Sequence, residues 1–302
     1  MNNKDLSIVS ASRRGFTLLE LIVVIGIIGV LMTVAISQFG GATESAKRTK
    51  CQANLSNLAK AVIATAQRDE DGNFPAAGSF KWTDFTSGKT LYSERKGWIS
   101  WNKAPGNTSK GGGATIPFTS GDEEMIRYAI TNGAIWKAMN GARSCYQCQA
   151  HVAAFHKKTG RDPGWSYVMN QDFGYDSNYG SGPLPGWSGR NLNSDKGGAT
   201  SADRRLLFAE IQGVDVEAHG LKAKHDAGGT DGDGVLQYSR NEVIGFNHKD
   251  GKDWVGHVAF ADGHVQAIKY PRSGQSLTEV TKYFCQGHEV KFDGKRYEDL
   301  SK

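Results

Sequence analysis

The sequence predicts an α+β protein: one long N-terminal α-helix, its first half transmembrane, packed by its second half on a small antiparallel sheet with long loop insertions. Three observations predict it. An unbroken apolar run extends from Leu21 to Ile36. Beyond it, Cys51, Leu55, Leu58, Val62 and Ala66 recur at helical spacing on one face. Near the end of the chain, Asp262-Gly263 separates two short stretches of alternating apolar residues, the strongest short-range hairpin signal.

The first helix is expected from Phe16 to about Gln67. Phe16 to Ile36 is 21 residues with one charge, Glu20, enough for a bilayer-spanning helix at about 20 residues. A secretory signal would have an apolar region of only about 7–15 residues and end at a small-residue cleavage site. This segment is therefore expected to be retained. Lys4, Arg13 and Arg14 precede it, so the positive-inside rule places the start of the chain in the cytoplasm and everything after Ile36 outside. Glu20 is out of place in such a helix, because a carboxylate at the bilayer centre costs about 2.5–3.5 kcal/mol on insertion scales. That cost marks it as a functional candidate. Farther along, Lys47, Arg48, Lys50 and Asn54 occupy a face away from the apolar stripe. Gly40-Gly41 lies where the helix changes surroundings and is the expected point of kinking or local melting, since Gly weakens a helix interior by about 1 kcal/mol.

After Gly72 the helix signal stops. Residues 72–119 are an irregular Gly/Ser/Thr/Lys-rich region containing Trp82, Trp98 and Trp101, which serve either as a carbohydrate platform or as packing anchors beneath long loops. Ser120 and Glu123 form a capping box for a second helix through Ile126, Ile130 and Ile135 towards Met139, open to interruption at Asn132-Gly133. Leu206–Ile211 and Val243–Phe246 read as short buried strands, and residues 258–261 and 264–268 as the hairpin arms. An amphipathic helix through Val280, Tyr283 and Phe284 follows Ser276.

The residues at the start of the chain carry a resemblance. Arg13-Arg14-Gly15-Phe16-Thr17-Leu18-Leu19-Glu20, a basic leader ending in Gly with Glu fifth after it, resembles the class III signal of type IV pilins and type II secretion pseudopilins. The resemblance implies cleavage between Gly15 and Phe16 by a membrane peptidase, and methylation of the new N-terminus at Phe16. It divides the chain into a leader, 1–15, a transmembrane and stalk helix, 16–68, and an extracytoplasmic head, 69–302. Islands farther on also resemble a large pilin-like family: Cys51-Gln52-Ala53-Asn54-Leu55-Ser56-Asn57-Leu58, Gly133-Ala134-Ile135-Trp136 leading to Cys148, Ser166-Tyr167-Val168-Met169-Asn170, and Phe260-Ala261-Asp262-Gly263-His264-Val265. In that family a His precedes the Asp-Gly by nine intervening residues. Here His248 precedes it by thirteen and His257 by four, so either His fills the motif's place or an insertion at residues 249–254 has removed the relationship.

The resemblance implies a structural filament subunit of a type IV pilus-like or type II secretion assembly. It would be processed by prepilin peptidase, held in the inner membrane by a single pass with its head outside, and handed by inner-membrane assembly machinery to other copies of itself or related pilins. Glu20 would pair with the Phe16 ammonium of a neighbouring subunit. An alternative of a different class is a surface-displayed glycan- or ligand-binding protein that uses the helix as an anchor. Removing the leader leaves 302 − 15 = 287 residues, a length suited to one head domain behind the helix. The net charge of +5 falls to about +3 without the leader, and no Lys/Arg block suggests nucleic acid as a partner.

The remaining chemistry is sparse. Cys145-Tyr146-Gln147-Cys148 has the spacing of half a zinc site, but Cys51 and Cys285 are single and distant. An oxidising exterior favours disulfides; the simplest pairing is Cys145–Cys148, with Cys51 and Cys285 joined or free. Asp231-Gly232-Asp233-Gly234 departs from a calcium loop, because Leu236 stands where the sharp turn needs Gly. Asp226, Asp231 and Asp233 form a candidate for weak Ca²⁺ binding, set against a plain solvated turn. No other cofactor is expected. His225, His248, His257 and His264 crowd the same region, yet strand alternation can place His257 and His264 on different faces. With no Gly-x-Ser-x-Gly, His-Glu-x-x-His or phosphate-binding Gly loop, no enzymatic activity is expected. Asp262 is expected to fix the hairpin turn, with a neighbouring His hydrogen-bonding within the fold.

Overall fold

The structure, a computed structural model, describes residues 16–70, 72–78, 81–83, 90–92, 96–100, 123–173, 202–212, 234–238, 242–272 and 274–301. The chain divides into two compact units, residues 1–45 and 46–302. Helix α1, Leu18–Ala66, begins in the first and ends in the second.

In the first unit α1 has no buried stripe. Leu18 is 75% exposed, Ile25 58% and Leu31 63%, so these apolar side chains find no cover among the described residues. Among the described residues no helix is long and apolar enough to cross a membrane. Within the apolar run the side chains are described from Phe16 to Thr33, fewer than the about 20 residues that span a bilayer. The backbone is helical through Gly40-Gly41, where melting was the expectation. A cost of about 1 kcal/mol per Gly does not stop a helix that propagates cooperatively on both sides. The leader, residues 1–15, lies outside the described residues.

The second unit is an α+β head. The end of α1 buries Cys51, Leu55, Leu58, Val62 and Ala66 completely, as the helical spacing predicts. Asn54 departs from expectation: it is buried, because its Nδ2 donates to the Gln147 carbonyl at 2.9 Å and to Tyr167 Oη at 3.3 Å. The polar face retains Arg48, whose guanidinium meets Asp250 at 2.6 Å.

Strands β1 (Lys81–Thr83) and β2 (Thr90–Tyr92) form a separate antiparallel pair. Helix α2 spans Glu123–Thr131 and yields to turns at Asn132-Gly133, where interruption was expected; the proposed cap, Ser120, lies outside the described residues. Helix α3, Gln149–Thr159, follows Cys148. The main sheet contains β3 (Tyr167–Asn170), β4 (Leu206–Glu210), β5 (Val235–Leu236), β6 (His248–Asp250), β7 (Asp253–Phe260) and β8 (Val265–Lys269). Its order is β5-β3-β4-β7-β6, with β8 also on β7, and every pairing except β3–β5 is antiparallel. Residues 243–246 contribute only an isolated bridge between Ile244 and Ile211 instead of the expected strand. They are pressed against β7 at Gly256, where a Cβ would stand 2.0 Å from the Gly245 carbonyl oxygen.

Helix α4, Leu277–Gln286, starts after Ser276 as expected and stops at left-handed Gly287, and β9 (Val290–Phe292) pairs with β10 (Tyr297–Asp299). The hairpin between β7 and β8 forms where Asp262-Gly263 predicts it, with a different turn. Phe260 N–H donates to the His264 carbonyl and Gly263 N–H to the Phe260 carbonyl, and of the two residues only Gly263 has positive φ, +91°. This is the three-residue loop, a type I turn closed by a left-handed Gly, rather than the two-residue loop that arms at 258–261 and 264–268 would leave. Asp262 Oδ1 accepts from the His264 backbone N–H at 3.0 Å and lies 2.7 Å from its Nδ1.

Candidate functional site

At the N-terminus, Thr17 and Glu20 close a reciprocal capping box. Thr17 N–H donates to Glu20 Oε2 at 2.8 Å, and Glu20 N–H to Thr17 Oγ1 at 3.2 Å. Two of the amides that a helix start leaves unpaired are satisfied this way. Glu20 and Phe16 are both exposed. Gly15, on the other side of the expected cleavage point, lies outside the described residues.

A second constellation is sealed inside the head. Cys51, from α1, has its Sγ 2.6 Å from the Sγ of Cys148, the residue that starts α3. Cys148 Sγ lies 3.3 Å from His248 Nε2 on β6, and that nitrogen lies 3.4 Å from Glu210 Oε1 at the end of β4. The four ligand atoms lie within 4.8 Å of one another, and all four residues are buried. His257 on β7 adds its Nδ1, 2.6 Å from Glu210 Oε1.

Sheet register explains the convergence. Ala209 pairs with Val258, so the next step along β4 sets Glu210 opposite His257. His248 pairs with Val255, two residues from His257 and therefore on the same face. Residues 249–254 form the turn end of the β6–β7 hairpin, and thus His248 and His257 meet, with ring centroids 5.0 Å apart. His264 is not in this cluster; it stacks on Phe260 at the exposed turn.

Burial raises the pKa of a lone carboxyl, but hydrogen bonds and charge from His248 and His257 outweigh it and hold that of Glu210 down at about 2. Burial acts on His248 in the opposite sense, lowering it, and contacts with Cys148 and Glu210 overcome that and raise it to about 10. The Cys148 thiol is pushed well up, first by burial and then by Cys51 and Glu210. Asn247 Nδ2 donates to Glu210 Oε2 at 2.9 Å, so both carboxylate oxygens are engaged.

Cys145 is half-buried and takes no part, and all four cysteines carry free thiols. The expected Cys145–Cys148 pairing is not seen: the 3₁₀ turn Arg143–Tyr146 carries Cys145, and Cys148 lies beside Cys51. Asp226, Asp231 and Asp233, the calcium candidates, lie outside the described residues, as does Trp101. Trp98 is fully buried, donating from Nε1 to the Gly234 carbonyl at 2.9 Å, and so serves as a packing anchor.

Sequence reasoning missed Glu210 and Cys51 as site residues. Cys51 passed as one more member of the apolar stripe. Glu210 carried a readable signal, a single charge within the apolar run Leu206–Ile211, since carboxylates are almost never fully buried unless paired.

Residues 10–36 match the family model described as the prokaryotic N-terminal methylation motif. The match covers Arg13, Arg14, Gly15, Phe16, Glu20 and the apolar run. The chain thus carries a pilin-type N-terminal methylation motif, which implies a membrane-anchored precursor of the kind that prepilin peptidase processes. No curated protein and no solved structure matches the chain.

Proposed function

We propose that the chain is a structural, non-enzymatic subunit of a type IV pilus-like or type II secretion pseudopilus filament. The observation that carries this reading is the methylation motif at residues 10–36 continued by a helix that leaves its apolar side chains uncovered. Such a surface needs lipid or neighbouring helices around it. Before assembly the run from Phe16 to Ile36 crosses the inner membrane, with the leader inside and the head outside. After cleavage between Gly15 and Phe16, the same surface packs against other copies of the helix. Glu20 then pairs with the methylated ammonium of Phe16 on a neighbour, which offsets the desolvation of two charges that would each be costly alone.

Expression in cells with and without the prepilin peptidase tests this reading. Sheared surface fibres or overproduced pseudopili should contain the chain only when the peptidase is present. A processed chain that never enters a filament in cells with a complete assembly machinery would overturn it.

A further inference from the structure

We infer that Cys51, Cys148, Glu210 and His248 form a closed site for one structural zinc-type divalent cation, tying the end of α1 to the sheet of the head. Two sulfurs, one imidazole nitrogen and one carboxylate oxygen, all within 4.8 Å of one another, suit a borderline-soft metal with tetrahedral preference. All four residues are buried, which leaves no open position for substrate and makes the site structural.

Three observations point to a metal rather than to a disulfide. A disulfide is neutral and needs no charged company, whereas here a wholly buried carboxylate and two wholly buried imidazoles gather round the sulfurs. Glu210 is held as an outer shell holds a ligand: His257 Nδ1 at 2.6 Å from Oε1 and Asn247 Nδ2 at 2.9 Å from Oε2 fix its orientation and leave lone pairs for a cation. The separations of 3.3 Å and 3.4 Å from His248 Nε2 to Cys148 Sγ and Glu210 Oε1 are close to tetrahedral edges for bonds of about 2.0–2.3 Å. The 2.6 Å between the two sulfurs is shorter than such an edge, about 3.8 Å for two Zn–S bonds of about 2.3 Å. Loading therefore moves the sulfurs apart by about 1 Å.

Binding deprotonates both thiols and uses an unprotonated His248 Nε2; the displaced protons go to solvent, and no electron is transferred. The four ligands come from α1, the start of α3, β4 and β6, and Cys51 and Cys148 are 97 positions apart. The metal thus closes long loops, where a cross-link constrains the unfolded chain most. This inference is independent of filament formation and can fail or succeed separately from it.

The test uses the full chain, solubilised in detergent and purified without chelator. Elemental analysis should give one zinc-type ion per chain, and mass analysis under denaturing conditions should find Cys51 and Cys148 as thiols. Co²⁺ added to the reduced, metal-stripped chain should give the intense visible bands of tetrahedral Co²⁺ with thiolate charge transfer, saturating at one equivalent. Cys148→Ser and His248→Gln should each weaken Co²⁺ binding at least tenfold. A Cys51–Cys148 disulfide in the isolated chain, with no cobalt spectrum after reduction, would overturn the inference. So would a cobalt spectrum unchanged in both variants. The wild-type titration decides the matter even if a variant does not fold.

Discussion

Glu210 and His257 face each other between β4 and β7 with Oε1 and Nδ1 2.6 Å apart, and neither side chain reaches solvent. A carboxylate taken out of water is costly unless its partners stay in place, and losing one member of a buried pair strands the other. Glu210→Ala should therefore destabilise the head by about 3–5 kcal/mol. Urea unfolding of the solubilised chain, followed through the fluorescence of buried Trp98 and Trp165, measures this. A loss below about 1 kcal/mol would show that the cluster does not depend on the charge.

The sequence made some of this legible and hid the rest, for physical reasons. Local patterns came through: the stripe from Cys51 to Ala66, the hairpin at Asp262-Gly263 and helix α4 each depend on residues a few positions apart. Helix α3 was not legible, since Cys148 at its start makes no side-chain cap and the segment lacks a strong apolar stripe. The cluster was hidden because its members come from five elements, and only strand register brings His248, His257 and Glu210 together. Motif spacing measured along the chain cannot show that, as the hairpin of residues 249–254 lengthens the path without separating the ends.

Processing gives the second prediction. Mature protein should begin at Phe16 and carry one extra methyl group on its amino terminus, as the motif at residues 10–36 implies. Intact mass and N-terminal sequencing check it together. Recovery of residues 1–15 on the chain from cells that possess the peptidase would contradict it.

Glu20 caps the helix and is proposed to pair with a neighbouring subunit, and substitution can tell the two roles apart. As the third helical residue it accepts from Thr17 N–H, a role that Gln also fills in capping boxes. Pairing with a neighbour's ammonium requires the negative charge, which Gln lacks. Glu20→Gln should keep the chain in the membrane at wild-type level while reducing filament yield at least severalfold. Sheared-fibre yield from Glu20→Gln as the sole subunit source is the measurement; wild-type yield would assign Glu20 to capping alone.

Gly263 holds φ at +91°, and a Cβ there would come within 3.4 Å of Ile63 Cδ1. Gly263→Val should destabilise the head by about 1–3 kcal/mol through backbone strain. Gly263→Asn should cost less, because Asn tolerates the left-handed region. Equal losses for Val and Asn in urea unfolding would mean that the turn does not need positive φ at this position.

The last prediction concerns acid. His151 is fully buried in α3 with its Nδ1 2.9 Å from Ser166 Oγ. Burial lowers its pKa to about 4, the negative charge of Glu210 opposing that only in part. An unfolded His takes up a proton near pH 6.5, so between about 6.5 and 4 the unfolded chain binds a proton that the folded chain refuses. The stability contributed by neutral His151 is complete above pH 6.5 and drains away as pH falls through that window, by about 1.4 kcal/mol per unit. At pH 5 the head should have lost about 2 kcal/mol on this account. His151→Gln keeps a polar group beside Ser166 but cannot titrate, so its stability should fall less steeply between pH 7 and pH 5. Other acid-sensitive groups, including those around Glu210, are common to both proteins and cancel in the comparison. Urea unfolding at several pH values gives both slopes, and identical slopes would show that His151 is not the group that charges.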